Sequence, residues 1–347
     1  MRRLLLLSVA LLSGCYTLQA VRGQLEVLAA RRPLAEVLAD PATDADTGAK
    51  LALSAEVRDA ARKALGLDPR GSFRSFVRLP RAWPVWTVVV APELSVAPRR
   101  QCFLVVGCLD YRGFFDPADA ARYAARARAR GDEAFASGVP AYSTLGWFDD
   151  PVLWSMLRWD GPTLAEFIAH ESAHEAVYRG DDGAFDEAFA EVVGAALVRR
   201  AFATPARAAA LARWEVDRAL GAAHDRALLV ARAELAALYA SGAAPATQRA
   251  AKQARFAALR AELTALARGA GRAELAERWA GAQYDNARLA LAATYAELVP
   301  GFEALLEESG GDLGAFATRV RALARESAAA RRAVLAAAVQ RRARSSG

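Results

Sequence analysis

His170-Glu171-Ser172-Ala173-His174 places two imidazoles four residues apart. On an α-helix, residues i and i+4 lie on one face, a turn apart. Both rings then point at one spot and can share a metal ion. Glu171 sits beside them, placed to take a proton from a water held there. This is the H-E-x-x-H spacing of hydrolytic zinc sites. The alternative is two ordinary histidines on a partly buried helix. The flanks favour the metal, because they offer a third ligand and support for it.

A catalytic zinc takes three side chains and keeps one position for water. The remaining histidine, His224, lies fifty residues on, amid alanines and arginines. Nearer is Glu187, with twelve residues between it and His174. Between them, Arg179-Gly-Asp-Asp-Gly183 has the composition of a helix-ending turn and a new N-cap. A second helix therefore starts near Asp182 and runs back along the first. Glu187 falls in its first turn and is the expected third ligand, with Asp186 and Glu175 as competing carboxylates. Glu191 is one turn further on the same face. It is either a carboxylate that hydrogen-bonds a ligating imidazole from outside or a solvated helix position.

The chain starts with a basic segment, Met1-Arg-Arg3, then an apolar run from Leu4 to Leu12, then Leu12-Ser-Gly-Cys15. A basic start, a short apolar stretch and small residues before a cut mark an export signal. Cysteine right after Leu-Ser-Gly is the lipobox pattern of bacterial lipoproteins, in which Cys15 is lipidated and becomes the mature N-terminus. Tyr16, not Asp, follows it, which in a Gram-negative host points to the periplasmic side of the outer membrane. The apolar run is too short for a stable membrane span and no other stretch is long enough. The expected protein is lipid-anchored at the cell envelope and otherwise soluble.

Hydrophobic residues make up 54% and charged residues 24%, which fits a folded body. The +6 charge is nearly all arginine, lysine occurring at positions 50, 63 and 252. No basic run is interleaved with aromatics, so a nucleic-acid partner is not expected. With Cys15 assigned to lipid, Cys102 and Cys108 remain as a pair in an oxidising compartment. They are expected to form a disulfide closing a small loop, the alternative being two buried thiols.

The elements that must hold the site follow from periodicity. From 17 to 66 the pattern is helical, with Leu18, Val21, Leu25, Val27 and Leu28 as one apolar stripe and Leu51 to Leu65 as another. Between Ser72 and Phe115 short β-branched and aromatic runs, Trp83 to Pro92 and Phe103 to Val106, read as strands. Ala118 to Arg130 reads as a helix and Gly138 to Phe148 as extended. Asp149-Asp-Pro151 has the look of a helix start. From Gly161 onward the chain is helical, interrupted at Gly242, Gly269, Pro300 and Gly310-Gly311. No heptad or fixed repeat is sustained, so packed antiparallel helices are expected.

Several blocks occur together: Gly14-Cys-Tyr, Gly107-Cys-Leu-Asp-Tyr-Arg-Gly-Phe-Phe, Ala141-Tyr-Ser-Thr-Leu-Gly-Trp-Phe-Asp-Asp-Pro-Val-Leu, Phe167-Ile-Ala-His-Glu-Ser-Ala-His, Phe185-Asp-Glu-Ala-Phe-Ala and Asn286-Ala-Arg-Leu. From Cys15 to about Phe316 the chain thereby resembles the predicted-aminopeptidase family of bacterial lipoproteins. The resemblance implies a zincin-like fold of the gluzincin type, with His170, His174 and Glu187 as ligands of one zinc and Glu171 as base. Where that family usually has Asn before the third ligand, this chain has Asp186, so two adjacent carboxylates compete. Glu175 stands where Gln is common.

The expected architecture is α+β and mostly helical. It comprises a signal peptide (1–14), an N-terminal helical segment (15–70), a zincin-like core with a small mixed or antiparallel sheet (71–204) and a helical C-terminal region (205–347). The expected activity is hydrolysis of a peptide bond: zinc activates water and the scissile carbonyl, and Glu171 moves the proton to the leaving amine. Tyr284, Asn286, Tyr295 and Tyr178 are candidate donors to the developing oxyanion. The 141–148 run is either an edge strand for substrate or a core strand. Glu175, Asp181 and Asp149 are candidates to receive a substrate amine. Two rivals remain: a non-catalytic envelope lipoprotein of the same fold, and an amide hydrolase acting on a cell-wall component. Iron or manganese also suits two histidines and a carboxylate. The base beside His170 favours zinc.

Overall fold

A computed structural model describes residues 16, 18–68, 71–103, 107–142, 148–292 and 298–345. The lipobox, Tyr295 and residues 143–147 of the suspected edge strand lie outside them. The fold is α+β and mostly helical.

Helix α1 covers 18–29. It is followed by β1 (Arg32–Pro33), α2 (Leu34–Ala39) and α3 (Ala45–Leu65). The strands β2 (Ser75–Val77), β3 (Val85–Pro92), β4 (Gln101–Phe103), β5 (Gly107–Leu109) and β6 (Arg112–Phe114) come next. Helix α4 (Pro117–Ala129) leads to β7 (Asp132–Val139) and β8 (Val152–Leu153). The remainder is helical: α5 (Gly161–Ala176), α6 (Gly183–Ala201), α7 (Ala208–Ala240), α8 (Pro245–Gly269), α9 (Ala273–Ala280), α10 (Asn286–Ala292), α11 (Val299–Glu308), α12 (Leu313–Leu323) and α13 (Ala328–Ser345).

The sheets are small. Strand β2 is central to one, antiparallel to β1 and parallel to β8. Strand β3 is central to another, antiparallel to β6 and β7, with Val89 opposite Phe135. Strands β4 and β5 form a hairpin whose facing residues, Cys102 and Cys108, are joined by a disulfide.

The largest core gathers α2, α3, α5, α6 and α11–α13 with β2 and β8. In α3, Leu51, Val57, Ala61 and Leu65 are buried at helical spacing and pack toward α5. A second core joins α7, α8 and α10. Alanines 120, 124 and 127 of α4 cover one face of the β3 sheet, and Ala287 and Ala290 of α10 cover the other.

Three expectations change. The α1 stripe faces the body only in part: Leu18, Val21 and Leu25 are exposed, whereas Val27 of the stripe and Gly23 are buried. Gly23 lies under Phe115, and a Cβ there would meet its ring at 2.1 Å, so the helix turns its small face inward. Asp149-Asp150-Pro151 does not start a helix. Val152 and Leu153 are buried and extend β2 as β8, and a short 3₁₀ turn (Trp154–Arg158) follows. The strand near residue 138 begins earlier, at Asp132, right after Gly131 ends α4 with φ 83°. Pro300 lies at a helix boundary, as expected, in the first turn of α11, where its missing N–H costs nothing.

Candidate metal centre

Helix α5 carries His170, Glu171 and His174. Asp160 caps it, accepting from the Thr163 N–H at 3.0 Å, and Pro162 occupies its first turn. At the other end, Arg321 of α12 donates to the Ala176 carbonyl (3.2 Å) and to the Leu65 carbonyl at the end of α3 (2.8 Å). A guanidinium there satisfies carbonyls that have no partner inside a helix and complements the negative helix end.

A turn over 177–182 reverses the chain, with Gly180 at φ 74°. Asp182 is the N-cap of α6. Its carboxylate is also held by Arg331 of α13 at 2.6 Å, both side chains being buried. Asp186 is 1% exposed and accepts the N–H groups of Arg179 (2.8 Å) and Gly180 (3.0 Å). It clamps the turn to the helix it precedes. Of the two adjacent carboxylates, Asp186 is thus committed to backbone, and Glu187 turns to the histidines.

The Nε2 atoms of His170 and His174 lie 3.2 Å apart, and Glu187 Oε2 lies 3.2 Å from His170 Nε2. Glu187 Oε1 is 3.8 Å from His174 Nε2. Among the described residues, these three form the group of metal-ligating type whose donor atoms lie within 4.8 Å of one another. Donors at 2.0–2.1 Å from a tetrahedral cation are about 3.3 Å apart, so the set fits such an ion. Two imidazole nitrogens and a carboxylate oxygen aimed at one point are a zinc-type donor set. The His174 ring is almost sealed, at 7% exposure, whereas His170 and Glu187 are 22% and 25% exposed. The centre therefore has one open side.

The charges are coupled. Burial opposes the charged form of His170, but its hydrogen bond to Glu187 and the charges of Glu171 and Glu187 raise its pKa. Burial, with the neighbouring His170 charge, pushes His174 down to about 4. Burial alone would raise Glu187, yet its bond to His170 and both rings keep it below the usual carboxylate range. Glu171 is half-buried on the same helix, next to the first ring.

The other sequence candidates are scattered. Glu191 hydrogen-bonds Arg218 at 3.2 Å, and its charge acts on His170. Glu175 is paired with Arg62 of α3 at 2.7 Å, and Asp181 with Arg179 at 2.8 Å. Tyr284 belongs to the second core, its ring under the Arg288 guanidinium. Asn286 is fully buried and its side chain is committed to the Glu93 carbonyl (2.8 Å), the Pro92 carbonyl (3.3 Å) and the Tyr239 hydroxyl (3.0 Å). No described contact brings Tyr284 or Asn286 to the histidines. His224 stacks on Trp279, with its Nδ1 3.0 Å from Asp225.

Two tyrosines do border the centre. The Tyr178 ring packs edge-on to His174 with centroids 5.9 Å apart. Partial burial raises its phenol, and the charges of Asp186 and Glu187 add to this. Burial and the Glu187 charge likewise raise Tyr111. Tyr111 has no role in the motif analysis, although it lies in the Gly107 to Phe115 block.

The family model described as Putative aminopeptidase matches residues 15–335. No curated protein and no solved structure matches the chain.

Proposed function

The chain belongs to the Putative aminopeptidase family, and from that premise we propose that it hydrolyses peptide bonds at a zinc centre held by His170, His174 and Glu187. One observation carries this: two imidazole nitrogens and a carboxylate converge with 3.2 Å spacings beside Glu171.

When bound, zinc supplies Lewis acidity for the water and the scissile carbonyl. Glu171 accepts the proton of the attacking water and delivers it to the departing amine nitrogen. His170 and Glu187 border the open side, where substrate approaches, and sealed His174 fixes the inner wall. Tyr178, packed on His174, is the described hydroxyl best placed to donate to the developing oxyanion.

The intact base favours a hydrolase over a scaffold, since a structural zinc needs no base and has four protein ligands. The test is cleavage of a mixed peptide library by protein starting at Tyr16. Wild type cuts, and Glu171→Gln loses about 10²–10⁴-fold in rate while keeping its metal. Equal cutting by both proteins contradicts the assigned base.

We also propose that Cys15 anchors the protein to the envelope membrane. Among the described residues no helix is long and apolar enough to cross a bilayer. The exposed Leu18, Val21 and Leu25 face lies just past the lipobox, where an apolar surface meets lipid. Cys15→Ala is expected to move the protein from the membrane fraction to the soluble one. Retention in the membrane fraction contradicts the anchor.

A further inference from the structure

A cavity of about 710 Å³ lies between α5, α6, α7 and the start of α11. Its walls continue both helices of the metal centre. Glu166 lines it from α5, four residues before His170, and Glu191 lines it from α6, four residues after Glu187. Four residues along a helix is a rise of about 6 Å on one face. Gly194 lets the two helices close there: a Cβ would lie 3.1 Å from the Glu166 carbonyl and 3.6 Å from His170 Cβ.

The charges in the cavity do not balance. Arg218 spans both acids, its Nη1 2.7 Å from Glu166 and its Nη2 3.2 Å from Glu191. Trp214 Nε1 donates to the other Glu166 oxygen at 3.0 Å. Two carboxylates therefore share one guanidinium. Of the remaining acids of the lining, Glu215 pairs with Arg199 and Asp217 with Arg272, while Asp225 meets the His224 ring and Glu303 shares Arg342 with Glu307. The lining is thus rich in negative charge, and the pair Glu166 and Glu191 lies one turn from the metal ligands. Val299 and Pro300 of α11 give an apolar flank.

We propose that this cavity is a substrate subsite that takes the cationic side chain of a lysine or arginine flanking the scissile bond, held by Glu191 and Glu166. This rests on the peptidase function proposed above. Arg218 and Arg199 are already committed to carboxylates, and the lining carries six acids against three arginines, Arg226 being the third, so an acidic side chain is disfavoured. A cation entering here restores one-to-one pairing, and its methylenes lie along Val299 and Pro300. Burial keeps the Glu191 pKa raised in spite of Arg218, as expected for a carboxylate short of a counter-charge.

The test compares kcat/KM for peptides identical except for lysine, norleucine or glutamate on either side of the cut. Wild type is expected to favour lysine over norleucine by about tenfold or more at one position, and to disfavour glutamate there. Glu191→Gln, or Glu166→Gln if the first fails to fold, is expected to bring the lysine-to-norleucine ratio close to one. Equal rates for lysine and norleucine in wild type overturn the proposal and need no variant. An unchanged ratio in a folded variant overturns the assignment to these acids. If no peptide of the set is cut, the peptidase function itself fails, which differs from cleavage without preference.

Discussion

The α5–α6 and α7–α8 pairs are each two consecutive helices of one alanine-rich chain joined by a short turn, but they are held differently. In α5–α6, both N-caps are aspartates, Asp186 clamps the turn, and Arg321 and Arg331 reach in from α12 and α13. Phe185 and Phe189 pack against Phe302 and Phe316, all fully buried. In α7–α8, neither N-terminus has a side-chain cap. The contact there is Leu228 and Leu235 with Phe256, Leu259 and Leu263, and the polar contacts, such as Glu234 with Arg255, lie outside. Polar fixation of the ends and aromatic packing concentrate where the side chains must converge within a few tenths of an ångström. Where helices only need to pack, leucine and alanine suffice.

This contrast can be broken. Asp182→Asn keeps the cap acceptor but strands the buried Arg331 charge. It is expected to cost about 3–5 kcal/mol and to weaken metal binding, read by denaturant melts and metal titration. Leu259→Ala in the second core is expected to cost about 2–5 kcal/mol while leaving metal affinity unchanged. If Leu259→Ala weakens metal binding as much as Asp182→Asn does, the two regions are not independent. Gly194→Ala pushes α5 from α6 at Glu166 and is expected to cost about 1–3 kcal/mol, with a further loss of metal affinity.

Proton competition sharpens the comparison without mutation. Metal uptake must displace the proton that Glu187 and Glu171 help hold on His170. His174, at about 4, and Glu187, held below the usual carboxylate range, give up theirs at lower pH. Between about pH 5.5 and 6.5, uptake displaces one proton and affinity rises about tenfold per pH unit. Calorimetry in two buffers measures it; a flat profile contradicts the coupling. Smallest is Arg249→Ala, which removes an exposed pair with Glu93 at 2.8 Å. It is expected to leave stability and metal affinity close to those of wild type.

The helix pair was legible in the sequence because its signals are local: imidazoles at i and i+4, Asp160-Gly-Pro162 before α5, Gly180 and Asp182 before α6. Glu187 was already the expected ligand from its place in the first turn of α6, but what occupies Asp186 was not legible, because it depends on the turn that its carboxylate holds. The outward face of α1 was not legible, because periodicity finds a stripe but not what covers it; Phe115 above Gly23 decides that. Asp149-Asp-Pro151 has helix-starting chemistry, yet Val152 and Leu153 gain more by joining β2. Arg321 and Arg331 lie 145 to 256 residues from the groups they hold, and no local pattern announces them. Tyr284 and Asn286 are drawn into the second core and the β3 edge for the same reason.

The most direct test is the metal content of the purified protein starting at Tyr16, for wild type, His174→Ala and Glu187→Ala. One zinc per folded wild-type chain, with stoichiometric binding lost in both variants, is the predicted result. A wild type that takes up no metal when zinc is supplied, or a His174→Ala protein that holds it as firmly as wild type, would contradict the centre on which the account rests.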